Sequence, residues 1–156
     1  MSIHPSRSAA AESSLVLCRV RQAESKPSLW NAAMTQKPSP QKEAARFRRG
    51  VEEFNAGKFF EAHESWEVLW LAAAEPDKTF LQGITQVSAA FHHYTRKNHR
   101  GAQSLLKRGL RKLEQFPAGY QGVNLEKLRG ELRGWLRAIA KGRDVPAAQQ
   151  PHIEWE

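Results

Sequence analysis

The stretch DKTFLQGITQVSAAFHHYTRK, residues 77–97, decides the fold of this chain. No charged residue lies between Lys78 and Arg96, a gap of seventeen positions. Two glutamines and two histidines interrupt the gap, so the segment is too polar to span a membrane and is typical of a helix packed on several sides. We therefore predict a central helix around which the other elements of the domain pack.

Apolar residues recur at helical spacing on both sides of this segment and predict four more helices. Two precede it, over about residues 41–55 and 59–73, and two follow it, over about residues 100–116 and 125–141. Asn124 is expected to cap the last of them. The predicted fold class is all-α: a compact bundle of about five helices arranged as packed helical hairpins. No segment has the alternating pattern of a strand.

Composition divides the chain into three parts. Residues 1–40 are rich in serine, alanine and proline, and we expect them to form a disordered extension. Residues 41–143 form the all-helical domain, and residues 144–156 form a C-terminal tail that is either loose or docked through Ile153 and Trp155. Basic residues and serines give the extension a faint resemblance to an organelle transit peptide, which its two glutamates weaken.

The single cysteine, Cys18, excludes an internal disulfide and indicates a reducing compartment. The apolar run from Leu15 to Leu17 is too short for the core of a signal peptide. We therefore expect a cytoplasmic protein, with organelle targeting by the extension as the open alternative. A translation start at Met34, just before the helical pattern, is a further hypothesis.

A polar cluster is predicted on the second and third helices. His63 lies in the middle of the apolar stripe of the second helix, and Glu67 follows one turn later. On the third helix, Gln82, Gln86 and His93 fall on one narrow line. Because burying such groups without partners costs about 1–3 kcal/mol each, we expect the two sets to face each other.

Three interpretations of this cluster remain open: a hydrogen-bond network that fixes helix register, a small-ligand or metal site, or the centre of a histidine-based enzyme. The run HESWE, residues 63–67, lacks the second histidine of the HExxH zinc signature, and no serine or cysteine nucleophile is marked. The metal and the cofactor therefore stay unknown. Trp66 and Trp70 stand beside the cluster, as core residues or as the roof of a pocket over His63.

The runs that carry these residues resemble a known family. The domain of unknown function 309 family is similar to FNAGKFFEAHESWEVLW, residues 54–70, to FLQGITQVSAAFHHY, residues 80–94, and to NHRGAQSLLKRGLRKLEQFP, residues 98–117. The resemblance covers about residues 45–140 and implies a compact all-α domain of helical hairpins, without implying an activity. Its recurring motif positions fall here on Glu61, His63, Trp66, Glu67, Trp70, Gln82, Gly83, Gln86 and His93.

The net charge of +8 is unevenly distributed. Residues 96–143 carry thirteen basic and three acidic groups, whereas residues 41–95 carry six and eight. The last helix places four cations at i, i+4 spacing, namely Arg129, Arg133, Arg137 and Lys141. This ladder is either a solvated face, compensated by acidic groups of the first two helices, or a contact surface for an anion or a nucleic acid. No known DNA- or RNA-binding motif supports the nucleic-acid alternative.

These patterns predict a small helical domain that acts as a binding or structural module through its histidine, glutamate and glutamine cluster. A metal-dependent or histidine-based enzyme is the first alternative, and a nucleic-acid-associated protein is the second. No specific partner or oligomeric state follows from the patterns.

Overall fold

A computed structural model describes residues 38–156 of the chain. Most of the predicted extension, including Cys18 and Met34, lies outside the described residues. Five α-helices in the described part of the chain confirm the all-α fold class: α1 (Pro40–Asn55), α2 (Phe59–Ala72), α3 (Asp77–Thr95), α4 (His99–Leu113) and α5 (Leu125–Ala140). Between α4 and α5 lie two short strands, β1 (Gly119–Tyr120) and β2 (Val123–Asn124), and a 3-10 turn (Ala147–Gln149) follows α5.

Capping residues set the helix limits close to the predicted positions. The side chains of Asn98 and Asn124 accept hydrogen bonds from the backbone N–H groups of Gly101 and Lys127, each at 3.0 Å, and so begin α4 and α5. Gly57 follows α1 with a φ of 77°, in the left-handed region that glycine adopts without strain. The prediction that Asn124 caps the last helix is confirmed.

The phenyl ring of Phe91 lies at the centre of the helical packing. Its centroid is 5.8 Å from that of Phe54 on α1, 5.3 Å from that of Phe59 on α2 and 4.9 Å from that of Trp135 on α5. Aromatic pairs at such distances bury large apolar areas and favour edge-to-face geometry. One residue of α3 therefore joins three of the other four helices.

The fourth helix, α4, packs against α3 through two glycines. A Cβ atom at Gly109 would lie 2.8 Å from the carbonyl oxygen of Gly83, and a Cβ atom at Gly83 would lie 3.1 Å from the side chain of Lys112. The two backbones approach closely because neither position carries a side chain. Gly83, one of the family motif positions, is therefore needed for packing.

A third close contact joins α1 to α2. Trp66 is fully buried, and its Nε1–H donates a 3.2 Å hydrogen bond to the carbonyl of Phe47. The indole covers Gly50 so closely that a Cβ atom there would lie 2.6 Å from Cε2 of Trp66. Of the two alternatives for Trp66, the structure has the core residue and not the roof of a pocket.

The pair of two-residue strands differs from the prediction of no strand. Gln121 and Gly122 connect them with φ values of 52° and 74°, the positive values that a two-residue type I′ hairpin loop requires. The hydroxyl of Tyr120 donates a 2.7 Å hydrogen bond to Oδ1 of Asp77, which ties the hairpin to the beginning of α3. Strands of two residues are too short to show an alternating pattern, so sequence periodicity could not reveal them.

The C-terminal residues dock on the bundle. Ile153 is buried, and the side-chain amide of Asn55 bonds to it twice, donating to its carbonyl at 2.9 Å and accepting from its N–H at 2.8 Å. Trp155 forms a backbone bridge with Val123, and its ring lies 6.1 Å from that of Phe47. Within residues 38–156, no helix has the length and apolar character needed to cross a membrane.

Two glycine-to-alanine substitutions should shift stability in opposite directions. Gly50→Ala should lower the free energy of unfolding by about 2 kcal/mol or more, because the new methyl group overlaps the Trp66 indole. Gly134→Ala, on α5 with no atom within 4 Å of its Cβ position, should raise it by about 0.5–1 kcal/mol. Urea unfolding of both variants tests this, and equal effects would contradict the contact described for Trp66.

Alkaline pH should weaken the contact between the hairpin and α3. The hydrogen bond to Asp77, with burial and the carboxylate charge, raises the pKa of Tyr120 from 10.0 to about 12. The fold therefore favours the neutral phenol, and its contribution to stability is complete below about pH 10 and lost as the pH rises toward 12. In an ultraviolet titration of tyrosinate, Tyr120→Phe should remove a transition near pH 12. A wild-type titration without a transition in that range would contradict this.

Candidate functional site

A half-buried polar line runs along α3 on the side away from the core. Gln82, Gln86, Ala89 and His93 fall at i, i+4, i+7 and i+11 and are all half-buried. At 100° per residue this line lies roughly opposite Phe91, whose ring contacts α1 and α5. Neither α1 nor α5 therefore covers the line, and of the helices in residues 38–156 only α2 and α4 flank it. We call this surface, with its flanking residues, the α3 groove.

One wall of the α3 groove comes from α2. Ser88 Oγ donates a 2.7 Å hydrogen bond to the Phe59 carbonyl, and the ring of Phe60 lies 5.3 Å from that of His92. These contacts set an antiparallel register between the two helices. If the residues of α2 are counted from these two pairs, His63 lies at the same height along α3 as Gln86, and Glu67 lies at the same height as Gln82. We use the word level for this height.

His63 and Glu67 lie one turn apart on α2, and both are half-buried. The register brings these two residues and the two glutamines of α3 to the same part of the fold. His93 lies further along α3, beyond the beginning of α2, so it is not level with His63. Trp70 is partly buried against the core.

The other wall comes from α4. The contacts of Gly83 with Lys112, and of Gly109 with Val87, set the register between α3 and α4. They place the half-buried Lys112 near the level of Gln82, on the side of α3 opposite Glu67. Residues 59–72 contain three glutamates and no basic residue, and residues 99–113 contain five basic residues and no acid. The groove therefore lies between an acidic helix and a basic one.

The two histidines of α3 have different environments. Asn98 Nδ2 donates a 3.0 Å hydrogen bond to Nδ1 of His93, which leaves the proton of the neutral ring on Nε2. His92 faces Phe60 on α2, and burial, together with the positive charge of Arg96 and the neighbouring His93, lowers its pKa, while Glu61 opposes the change. The sequence pattern missed His92 because it lies one position off the polar line.

Gln86 holds the least satisfied polar atom on the floor of the groove. Its Oε1 atom is buried and has no hydrogen-bond partner within the described part of the chain. The side chain of Gln82, one turn away, also makes no side-chain hydrogen bond to residues 38–156. Buried amide oxygens are normally paired, because an unpaired one costs about 1–3 kcal/mol. The amide of half-buried Gln86 therefore has a hydrogen bond still to make, and rotation about its outer torsion angles would bring the oxygen toward the groove.

The structure offers no metal centre within residues 38–156, where no group of three histidine, cysteine, aspartate or glutamate residues could hold an ion. Two buried hydroxyl groups are also committed to structural hydrogen bonds. Ser65 Oγ donates to Glu53 at 2.7 Å, and Ser88 Oγ donates to the Phe59 carbonyl. Cys18 lies outside the described residues. The geometry thus brings together groups that bind by hydrogen bonds and charge.

The predicted ladder of cations on α5 is not uniform. Arg129 is 7% exposed, and its guanidinium donates to the carbonyls of Leu113 at 3.2 Å and Phe116 at 2.7 Å and to Glu126 at 2.9 Å. It satisfies carbonyls at the end of α4, where Phe116 N–H bonds to Leu113 in a tightened last turn. Arg129 therefore departs from the predicted anion-contact ladder, because its charge is already taken up inside the fold.

The other three cations of the ladder reach the surface. Arg133 forms a half-exposed ion pair with Glu114, whose carboxylate lies 3.0 Å from Nη2. Arg137 and Lys141 are exposed. The acidic partners of Arg129 and Arg133 thus lie on α5 and at the end of α4, and not on the first two helices.

Comparison with known proteins agrees with the predicted resemblance. Residues 47–105 match the model of the family described as Domain of unknown function (DUF309), so the resemblance is confirmed. An uncharacterized protein of Aquifex aeolicus (strain VF5) is 26% identical over 105 residues. Those residues are 67% of this chain and 30% of that protein, so the chain spans less than a third of the relative's length. The four residues of the polar line lie within the matched segment, and so does Gly83, which takes part in the close contact between α3 and α4.

Arg129 and Arg137 both lie on α5, but replacing each of them should have very different effects on stability. Arg129→Met should lower the free energy of unfolding by about 3 kcal/mol, because it leaves the Phe116 carbonyl without its donor and removes a second, charged hydrogen bond to the Leu113 carbonyl. Arg137→Met, at an exposed position, should change it by less than about 0.5 kcal/mol. Chemical denaturation measures both, and a small effect of Arg129→Met would contradict its structural role.

Proposed function

We propose that the DUF309 domain of this chain, matched over residues 47–105, is a binding module whose ligand lies in the α3 groove. The observation that carries the proposal is the buried, unpaired Oε1 atom of Gln86 on the groove floor. A structural network would have satisfied this oxygen from within the fold. The ligand class that fits best is an extended polypeptide segment.

The spacing of the floor residues supports a polypeptide. Gln82 and Gln86 are one helical turn apart, a rise of about 6 Å. Alternate residues of an extended chain repeat every ~6.6 Å, so two successive amides of one face could each meet a glutamine. A glutamine side chain carries both a donor and an acceptor, as does each peptide group. The floor therefore matches a peptide backbone in spacing and in hydrogen-bonding capacity.

The charges of the walls favour a particular side-chain pattern. Glu67 on α2 and Lys112 on α4 lie on opposite sides of α3 near the level of Gln82. Successive side chains of an extended chain point in opposite directions. A segment in which basic and acidic residues alternate would therefore present each charge to the wall of opposite sign.

The enzyme alternative has less support. His63 and Glu67 have the spacing of a histidine–carboxylate pair, but the hydroxyl groups of Ser65 and Ser88 are engaged in structural hydrogen bonds.

The sequence contains a single cysteine, which is typical of a protein in a reducing compartment, and we keep the cytoplasm as the proposed location.

Gln86→Met tests the proposal, because methionine has a similar shape without the amide. Binding of a synthetic peptide of about eight residues with alternating lysine and glutamate is measured for the full chain by calorimetry. We expect the variant to bind at least about tenfold more weakly than wild type, a change of ~1.4 kcal/mol, while its free energy of unfolding stays equal or rises. Gln41→Met, at an exposed position on α1, is the matched control and should bind like wild type.

Two results would overturn the proposal. One is a loss of about 1–3 kcal/mol in the stability of Gln86→Met, which is the cost expected if the amide belongs to a structural network. The other is equal binding of a peptide with the same composition arranged as a block of lysines followed by a block of glutamates. Stronger binding of the alternating peptide supports the proposal.

A further inference from the structure

Two rows of cations lie on the surface formed by α4 and α5, away from the α3 groove. Arg100, Lys107 and Arg111 fall at i, i+7 and i+11 on α4, so they share one stripe. Arg133, Arg137 and Lys141 fall at i, i+4 and i+8 at the outer side of α5. We call these six residues the α4–α5 basic face.

Glu114 shows that both rows lie on the same side of the molecule. It follows Arg111 by three residues and so continues the stripe of α4. Its carboxylate pairs with Arg133, the first cation of the row on α5, at 3.0 Å. The rows therefore begin at this ion pair and run side by side along two helices whose axes are about 8–10 Å apart.

The positive charge of this face is largely uncompensated. Five of its six residues are exposed, and within residues 38–156 only Arg133 has a carboxylate partner. Cations at i, i+4 repel one another, so the arrangement costs the isolated fold some stability. A polyanion that spans both rows would remove this repulsion and release its own counterions.

Two glycines lower the surface beside the row on α5. Gly130 and Gly134 lie in the interior of the helix, where glycine weakens helical structure, and nothing lies within 4 Å of either Cβ position. They serve no packing contact with the described residues. Their effect is to let a bulky partner approach the helix backbone between the long cationic side chains.

The chemistry of the face discriminates among polyanions. Gln103, Ser104, Gly130 and Gly134, which lie beside the cations of the face, carry no aromatic side chain. Single-stranded nucleic acids are normally held by stacking on aromatic rings, and membrane surfaces by inserted apolar residues. The exposed large apolar residues Phe60, Val68 and Leu71 lie on α2, and Trp155 lies in the C-terminal tail. A face of cations with no aromatic ring among them suits the phosphates of a double helix.

We infer that the α4–α5 basic face binds the phosphate backbone of double-helical nucleic acid without reading its sequence. Within the row of α5, successive cations are about 6 Å apart along the helix, close to twice the ~3.4 Å axial spacing of the phosphates of one strand. The proposal concerns a different surface from the α3 groove and does not depend on a peptide ligand.

A matched pair of charge reversals tests this proposal in the full chain. Lys107→Glu with Arg137→Glu removes one exposed cation from each row. Lys42→Glu with Arg46→Glu, at exposed positions on α1, changes the net charge by the same amount. The probe is a fluorescent DNA duplex of about twenty base pairs with an arbitrary sequence, titrated at several salt concentrations.

We expect the first pair to weaken binding about tenfold or more and to reduce the slope of log affinity against log salt by about two. The α1 pair should weaken binding by less than about threefold. Far-ultraviolet circular dichroism and urea unfolding confirm that both pairs are folded, and Lys107→Gln with Arg137→Gln should give an intermediate loss.

Three outcomes would overturn the proposal. Equal weakening by the two pairs would mean that net charge alone attracts the duplex. Tighter binding of the corresponding single strand would require a stacking surface elsewhere. Retention of the chain on anionic phospholipid vesicles, with no measurable binding of the duplex, would identify a membrane surface as the partner of the basic face.

Discussion

The position of Phe91 constrains the rest of the structure. Its ring contacts residues of α1, α2 and α5, so these helices must gather on one side of α3. The glycine contact between Gly83 and Gly109 holds α4 close on a further side of α3. Among residues 38–156, the five helices arranged in this way leave one side of the central helix without a covering helix. The α3 groove is a consequence of how the core is filled.

This geometry explains why the central helix has no charge in its middle and yet is not apolar throughout. Its core side carries residues such as Phe80, Ile84 and Phe91, which are buried. On the opposite side, Gln82 and Gln86 are half-buried, where a charged group would lose much of its hydration. An uncharged amide tolerates that position at lower cost and keeps two hydrogen-bonding groups. The uncharged stretch of sequence thus serves a core on one side and a polar groove on the other.

Local signals predicted the fold well, because helix limits depend on nearby residues such as Asn124 and on apolar spacing. Long-range contacts were beyond such signals. Arg129 has the same i, i+4 spacing as Arg133, and a helical wheel could not show that the carbonyls ending α4 lie beside it. For the site, helical spacing predicted the polar line of α3 and placed His63 within the apolar stripe of α2. His63 and His93 lie at different levels because of the register between α2 and α3, and that register is set by tertiary contacts.

The packing of the helices also changes how the net charge of the chain is interpreted. The central helix lies between α2, with its three glutamates, and α4, with its five basic residues. Arg129 is buried and pairs with Glu126, and half-exposed Arg133 pairs with Glu114. The other cations of the α4–α5 basic face are exposed and repel one another, beside Gly130 and Gly134, which weaken the helix and have nothing within 4 Å of their Cβ positions among the described residues. Both features cost stability and lie on one face, and the polyanion proposed for that face would offset the repulsion and approach the helix at the glycines.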